Sequence, residues 1–438
     1  MLWDPHSEAV SVEARAGVQL ERLHATVAWA QERVPFYRER LAGMAVASLE
    51  DLARLPFTRK SDLRDHYPFG LLAVPLAEVA RIHASSGTKG KPTVVAYTRE
   101  DLDVWREVMA RMMVAAGGRP GDLLHVAFGY GLFTGGLGFH DGAERIGMTV
   151  VPASSGNTAR HQLLLADFRP AGLAATPSFA LHIAEVMRAG GQRPDQLGLR
   201  YGMFGAEPWS EGVRRALETA YGCPAFDIYG LSEIVGPGVA GECEAREGLH
   251  VADDHFFPEI VDPSSGEPVP SGQEGELVLT TLTKRALPMI RYRTGDVTAF
   301  VPGPCRCGRT SRRIVRIKGR SDDMLVIKGV NVHPSEIEAT LLASDDLAPH
   351  YQLIVDRRTT LARLSVEVEP SPGAVERWGG FFPGQPALET VRHRIGERLR
   401  EAIGLSVEVS LVAPGTVPRS EGKAVRIVER PSGRSQVS

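Results

Sequence analysis

Between residues 79 and 282 short apolar runs alternate with stretches of helical periodicity, and this alternation narrows the fold more than any other feature of the chain. Runs at 123–128, 148–152, 172–175, 201–204 and 225–229 read as strands, and stretches at 99–116, 159–166, 178–189 and 210–220 read as helices. Strands and helices in turn build a sheet covered by helices on both faces. A glycine or proline follows most of the runs, at the strand ends where such sheets carry their chemistry. A helical lead-in at 7–43 sets Leu20, Leu23, Val27, Ala30 and Val34 at helical spacing. From 258 to 282 the pattern turns all-β, with a turn at Pro268-Val269-Pro270-Ser271-Gly272 and a strand at 276–281. Past Gly319-Arg320-Ser321-Asp322 lies a smaller segment with helices at 335–342 and 388–403 and strands at 353–355, 364–368 and 407–411. The fold class is α/β. A large N-terminal domain spans residues 1–320, with α/β sheets and a β-rich subdomain, and a small α/β C-terminal domain spans 321–438. Residues 431–438 read as a frayed tail.

Composition excludes several classes. Fifty basic side chains face 53 acidic ones, a formal charge of −3, against the basic surplus by which nucleic-acid binders hold their ligand. Four cysteines (Cys223, Cys243, Cys305 and Cys307) are too few for a disulfide scaffold of 438 residues and imply a reducing compartment. The N-terminus has neither a basic nor an apolar signal region. The longest weakly apolar stretch, 123–139, is glycine-rich, contains His125 and reads as a strand and a glycine loop, so no membrane partner is expected and the cytoplasm is the expected location.

Two clusters suggest binding chemistry. Ser85-Ser86-Gly87-Thr88-Lys89-Gly90-Lys91-Pro92-Thr93 combines hydroxyls, glycines and lysines, the groups that approach phosphate oxygens; the alternative is a solvated hairpin loop. It is not a Walker A loop, because Ser85 stands where that pattern needs glycine and Pro92 follows Lys91. Cys243, His250, Cys305 and Cys307 offer three thiols and an imidazole, a set that zinc accepts in closed, structural sites. His255 is a spare ligand should His250 point away, and the alternative to zinc is three unpaired cysteines and a surface histidine.

Four more blocks follow the Ser85 loop in order: Asp227-Ile228-Tyr229-Gly230-Leu231-Ser232-Glu233, Tyr292-Arg293-Thr294-Gly295-Asp296, Gly319-Arg320-Ser321-Asp322-Asp323-Met324 and Pro418-Arg419-Ser420-Glu421-Gly422-Lys423-Ala424. Together the five resemble the motifs of the adenylate-forming superfamily of acyl-CoA synthetases, adenylation domains and luciferases. Val34-Pro35-Phe36-Tyr37, Gly129-Tyr130-Gly131-Leu132-Phe133, Gly205-Ala206-Glu207-Pro208-Trp209, Asp254-His255-Phe256-Phe257-Pro258-Glu259 and Lys328-Gly329-Val330-Asn331 resemble the phenylacetate-CoA ligase family in particular. The resemblance covers nearly the whole chain. Gly295, Ala252, His333 and Glu336 depart from that family's usual arginine, tryptophan, phenylalanine and glutamine, which leaves the acid unnamed.

The resemblance implies that ATP and an aryl carboxylic acid form an acyl-adenylate, which then passes to coenzyme A. A carrier protein, an amine or a hydroxyl is the alternative acceptor. It further implies that Ser85, Ser86, Gly87, Thr88, Gly90 and Lys91 cradle phosphates, that Gly205, Ala206, Glu207, Pro208, Asp227 and Tyr229 line the adenine, and that Gly230 and Ser232 belong to the same nucleotide site. Asp296 takes the ribose hydroxyls, with Arg320 on the ribose or α-phosphate. Glu233 holds Mg²⁺, Lys423 stabilises the charge of adenylation, and Asp322 is the hinge of a mobile C-terminal domain. Tyr130, Phe133, Ala206, Ile228, Ile234 and Pro237 line the acyl pocket. The family suggests a homodimer and a structural zinc on Cys243, His250, Cys305 and Cys307.

Overall fold

The computed structural model describes residues 1–85, 92–320, 324–327, 330–358 and 362–430, apart from the side chains of Val326 and Asn331. Ser86, Gly87, Thr88, Gly90, Lys91 and Asp322 lie outside the described residues, as does the 431–438 tail. The chain divides into two compact units. The first comprises residues 1–175, 196–206 and 223–321; the second comprises 176–195, 207–222 and 322–438. This differs from a single division at 320/321 by two helical segments that cluster with the C-terminal residues.

The first unit is built on a nine-stranded sheet. Its order is Phe300–Val301, Arg313–Ile314, Leu249–Val251, Gly236–Glu242, Ala225–Leu231, Tyr201–Gly205, Gly172–Ala175, Leu123–Val126 and Thr149–Val151. The last five in this order run parallel, and pairing turns antiparallel where Ala225–Leu231 meets Gly236–Glu242. Gly172–Ala175 and Tyr201–Gly205 are buried at every position, as expected of strands covered on both faces. Helix Arg99–Ala115 starts at a Thr98 cap, with Asp101 closing a capping box, and buries Trp105, Val108, Met109 and Met112.

One element departs from the sequence reading. The glycine loop after residue 128 gives way to a helix, Gly135–Ile146. Its glycines are there for contact: a Cβ on Gly138 would lie 2.6 Å from Pro237, and one on Gly142 would lie 2.4 Å from Met109. Small residues let this helix pack tightly against Arg99–Ala115, which composition alone reads as a loop. A second, antiparallel sheet pairs Phe256–Val261, Gly275–Thr281, Tyr292–Thr298 and Gly319–Arg320.

In the second unit, Leu347–Asp356 pairs antiparallel with Arg363–Pro370. Ile427–Arg430 and Glu408–Leu411 add parallel strands at the two edges. Helix Pro386–Ile403 covers this sheet with Leu388, Val391, Ile395 and Leu399, the stripe its spacing predicts. Helices Pro177–Ala189 and Glu211–Tyr221 join the same unit, with Gly212 close against Leu342. Among the described residues, no helix is long and apolar enough to cross a membrane.

Candidate active site

The antiparallel register sets Asp296 opposite Arg320 on neighbouring strands, so these two motifs meet by sheet pairing. Arg320 Nη1 lies 3.4 Å from Asp296 Oδ1. Tyr229, near the end of its strand in the large sheet, donates its hydroxyl to Asp296 Oδ2 at 2.6 Å. Burial, together with the Asp296 charge, raises the Tyr229 pKa well above the ordinary phenol value and keeps it a donor. Tyr229 and Arg320 thus approach different oxygens of one carboxylate, a group able to accept several hydrogen bonds at once. Gly230 follows Tyr229 because a Cβ there would lie 1.9 Å from the Gly236 carbonyl oxygen.

Glu233 lies on the tight turn beyond this strand, 5% exposed. Its Oε1 is 3.4 Å from Lys60 Nζ. The turn is held from below. Lys284 Nζ donates to the Glu233 carbonyl at 3.1 Å and sits 4.9 Å from the Tyr97 ring centroid. The Tyr97 hydroxyl is 3.0 Å from the Val235 carbonyl and 3.3 Å from that of Ser232. Burial pushes the Lys284 pKa down to about 8 against the opposing pull of Asp101 and Glu233. The Ser232 hydroxyl is 3.2 Å from that of Thr134, which ties this turn to the glycine-rich segment. Lys60, Lys284 and Tyr97 carried no motif signal. Their partners are remote in sequence, and only the fold joins them.

Other expected residues are placed individually. Asp227 is buried, with its carboxylate 3.2 Å from Arg316 Nε. Ala206 adopts φ +69°, a left-handed conformation unusual for alanine, at the end of the Tyr201–Gly205 strand. The Ser85 amide donates to the Thr93 carbonyl at 2.9 Å, next to the pairing of Ala84 with Val94 on strands Arg81–Ala84 and Val94–Tyr97. Tyr130 and Phe133 are half-buried, with a Tyr130 ring carbon 2.8 Å from where a Cβ on Gly136 would stand and a Phe133 ring carbon 2.4 Å from where one on Gly135 would. Tyr130 Oη is 3.3 Å from His140 Nδ1. Pro237 packs by Gly138 with its carbonyl accepting from Trp105. Ile228 and Ile234 belong to the apolar core.

In the second unit Lys423 is exposed on a loop held on both sides. Thr176 Oγ1 donates to the Gly422 carbonyl at 2.7 Å, and the Ala424 amide donates to Glu207 Oε2 at 2.8 Å. Glu207 Oε1 accepts from the Ser178 amide at 2.7 Å. The Glu207 carboxylate, expected near adenine, is therefore engaged by two backbone N–H groups. Its neighbour Pro208 is exposed.

The Cys243, His250, Cys305 and Cys307 ligand atoms all lie within 4.8 Å of one another. Sheet pairing of His250 with Arg313 returns the Cys305–Cys307 turn to the end of the strand that precedes Cys243. Cys243 and Cys305 sulfurs are 3.7 Å apart, and Cys307 Sγ is 3.4 Å from His250 Nε2. A tetrahedron with Zn–S bonds of about 2.3 Å has S–S edges of about 3.8 Å and S–N edges of about 3.5 Å. A disulfide would need about 2.05 Å. His250 Nδ1 meets Ser311 Oγ at 3.2 Å, which turns Nε2 toward the sulfurs. His255 lies outside the cluster, with Nδ1 2.9 Å from Thr283 Oγ1.

Comparison with known proteins fits this geometry. The model of AMP-binding enzymes matches residues 39–282, and that of the AMP-binding enzyme C-terminal domain matches 329–430. The chain is 50% identical to a phenylacetate-coenzyme A ligase of Thermus thermophilus, over 98% of this chain and 99% of that protein. It is 48% identical to one of Escherichia coli over 96% of each. Among solved structures, 2-hydroxyisobutyryl-CoA ligase in the postadenylation state with 2-HIB-AMP has a TM-score of 0.91 at 34% identity, covering 98% of this chain and 92% of that one. A benzoate CoA ligase from Burkholderia xenovorans, at 18% identity, TM-score 0.58 and coverage of 79% and 68%, shares the fold.

Proposed function

The chain belongs to the phenylacetate-CoA ligase family of AMP-binding enzymes, and on that premise we propose that it joins an aryl carboxylic acid to coenzyme A with conversion of ATP to AMP and pyrophosphate. The observation that carries this reading is the end-to-end likeness to phenylacetate-coenzyme A ligase, half of all aligned residues over 98% of the chain. The acid's carboxylate attacks the α-phosphorus and pyrophosphate leaves. The thiolate of coenzyme A then attacks the acyl carbon and AMP leaves. The first step demands charge neutralisation and in-line placement more than an acid or base.

Asp296, preset by Tyr229 and Arg320, receives the ribose hydroxyls. Arg320 also faces the α-phosphate. Lys423, a compact charge on a long stem, bridges the incoming carboxylate and the α-phosphate as negative charge builds. Gly205, Ala206 and Asp227 border the adenine, and Tyr130 and Phe133 give the acid an aromatic wall. Glu233 is a hard oxygen donor beside the nucleotide motifs and would hold Mg²⁺, which supplies charge for the departing pyrophosphate. Lys60 screens that carboxylate. Asp322 is the hinge by which the C-terminal segment exchanges the two half-reactions, a reading that rests on the resemblance.

Cys243, His250, Cys305 and Cys307 would hold zinc in a structural role, since four protein ligands leave no open position. The cytoplasm, which supplies ATP and coenzyme A, is the compartment this reading assigns to the reaction. The test is pyrophosphate release over phenylacetate, benzoates, hydroxybenzoates, anthranilates and cinnamates, with and without coenzyme A. The expected result is release with at least one aryl acid and thioester formation only with coenzyme A. No release with any acid overturns the reading, and an aryl-adenylate that coenzyme A leaves untouched points to a carrier-protein acceptor.

A further inference from the structure

Lys423 sits between two peptide groups that are tied by side chains outside its own motif. On one side the Gly422 carbonyl accepts from Thr176 Oγ1 at 2.7 Å and from Ser178 Oγ at 3.3 Å. On the other the Ala424 amide donates to Glu207 Oε2 at 2.8 Å. The Lys423 carbonyl accepts from Ser420 Oγ at 2.7 Å. The three outside residues form one assembly, because Glu207 Oε1 accepts from the Ser178 amide at the start of helix Pro177–Ala189. Upstream, Arg419 anchors the same loop, with Nε 3.0 Å from Glu185 Oε2 and two contacts of 2.8 and 2.9 Å to Glu369. All of these residues lie in the second unit.

A lysine has four side-chain torsions, so where its ammonium can reach depends on how its backbone is held. Fixing both flanking peptide planes fixes its Cα–Cβ vector and confines where the ammonium can go. From this we infer that Glu207, Thr176 and Ser178 are positioning residues that aim Lys423 for the adenylation half-reaction. The inference rests on the role given to Lys423 above. The chemistry of Glu207 is specific: both its oxygens accept from N–H groups, so a carboxylate satisfies the pair and a carboxamide, with one oxygen and one NH₂, opposes one of them. The clamp holds main-chain atoms and touches no reacting atom. Its effect is therefore confined to the step that needs the lysine in place.

The experiment measures the half-reactions separately: pyrophosphate release without coenzyme A, and thioester formation from coenzyme A and supplied aryl-adenylate. Glu207→Ala and Thr176→Val are expected to lower the first by about 100-fold through kcat, the cost of a misaimed group, and Thr176→Val should leave the KM for ATP nearly unchanged. For Thr176→Val the second should stay within about twofold, because it does not use the aimed lysine. Glu207→Gln should fall between, and Thr176→Ser, which keeps the hydroxyl, should restore adenylation. In a Lys423→Ala background, Glu207→Ala should add no further loss. An equal fall in both half-reactions, unaffected adenylation, or additive losses in the double variant would each overturn the clamp. If Glu207→Ala does not fold, the Thr176→Val and Thr176→Ser pair decides alone. Lys423→Ala separates this idea from its premise: full adenylation in that variant removes the role of the lysine, whereas its loss beside a normal Glu207→Ala removes only the clamp.

Discussion

Asp296 has a different donor on each oxygen, and neither the tyrosine nor the arginine lies near it in sequence. The motifs named all three residues; the sheet register and the strand end supplied the contact. Tyr229→Phe removes one bond to a charged acceptor, so the KM for ATP should rise about tenfold with kcat little changed, read from initial rates at saturating acid. Lys60 and Lys284 were not legible, because a lysine beside a distant glutamate has no local pattern. Buried histidines give a second test at this scale. His125 is fully buried, with Nε2 2.8 Å from His161 Nδ1, and burial drives its pKa down to about 3. An unfolded histidine titrates near 6.5. Below that pH the unfolded chain binds a proton that the native state refuses, so stability falls as pH drops from about 6.5 toward 3, by up to about 1.4 kcal/mol per pH unit. His255, held down to about 4, adds to the same slope. Urea unfolding of His125→Asn, which keeps a hydrogen-bonding group for His161, should show the dependence between pH 4 and 6.5 reduced by one proton; an unchanged slope would contradict the assignment.

At the level of elements, strands flanked by glycine or proline and the apolar stripe of Pro386–Ile403 were readable because period and punctuation agreed. Gly135–Ile146 was not readable, because its glycines answer a neighbour that the sequence does not reveal. The stripe predicts its own energetics. Ile395 is fully buried, and Ile395→Ala should cost about 2–5 kcal/mol from lost burial and the cavity left behind, measured by denaturant unfolding against the parent. The strands and turn that gather Cys243, His250, Cys305 and Cys307 make the other prediction. Metal analysis should give about one zinc per chain, and its removal by a chelator should lower the unfolding midpoint. Cys307→Ser should reproduce that shift, and a metal-free protein of undiminished stability would end the zinc assignment.

For the molecule as a whole, the order of five motifs carried the functional class, and strand–helix alternation carried the α/β architecture. The partition of the chain was less legible. Helices Pro177–Ala189 and Glu211–Tyr221 fall within the sequence span of the large domain yet cluster with the C-terminal unit, because Glu185, Glu207, Gly212 and Arg215 find their partners there. Segments alternating between two units leave no trace in local periodicity. Every later step of the proposed reaction depends on one covalent event, attack of a carboxylate oxygen on the α-phosphorus. Isotope transfer reads it directly: the aryl acid that the panel turns over is labelled with ¹⁸O in its carboxyl group and incubated with enzyme, ATP and coenzyme A, and the nucleotide product is weighed by mass spectrometry. AMP carrying one ¹⁸O is the predicted result, and unlabelled AMP, or ADP as the product, would contradict it.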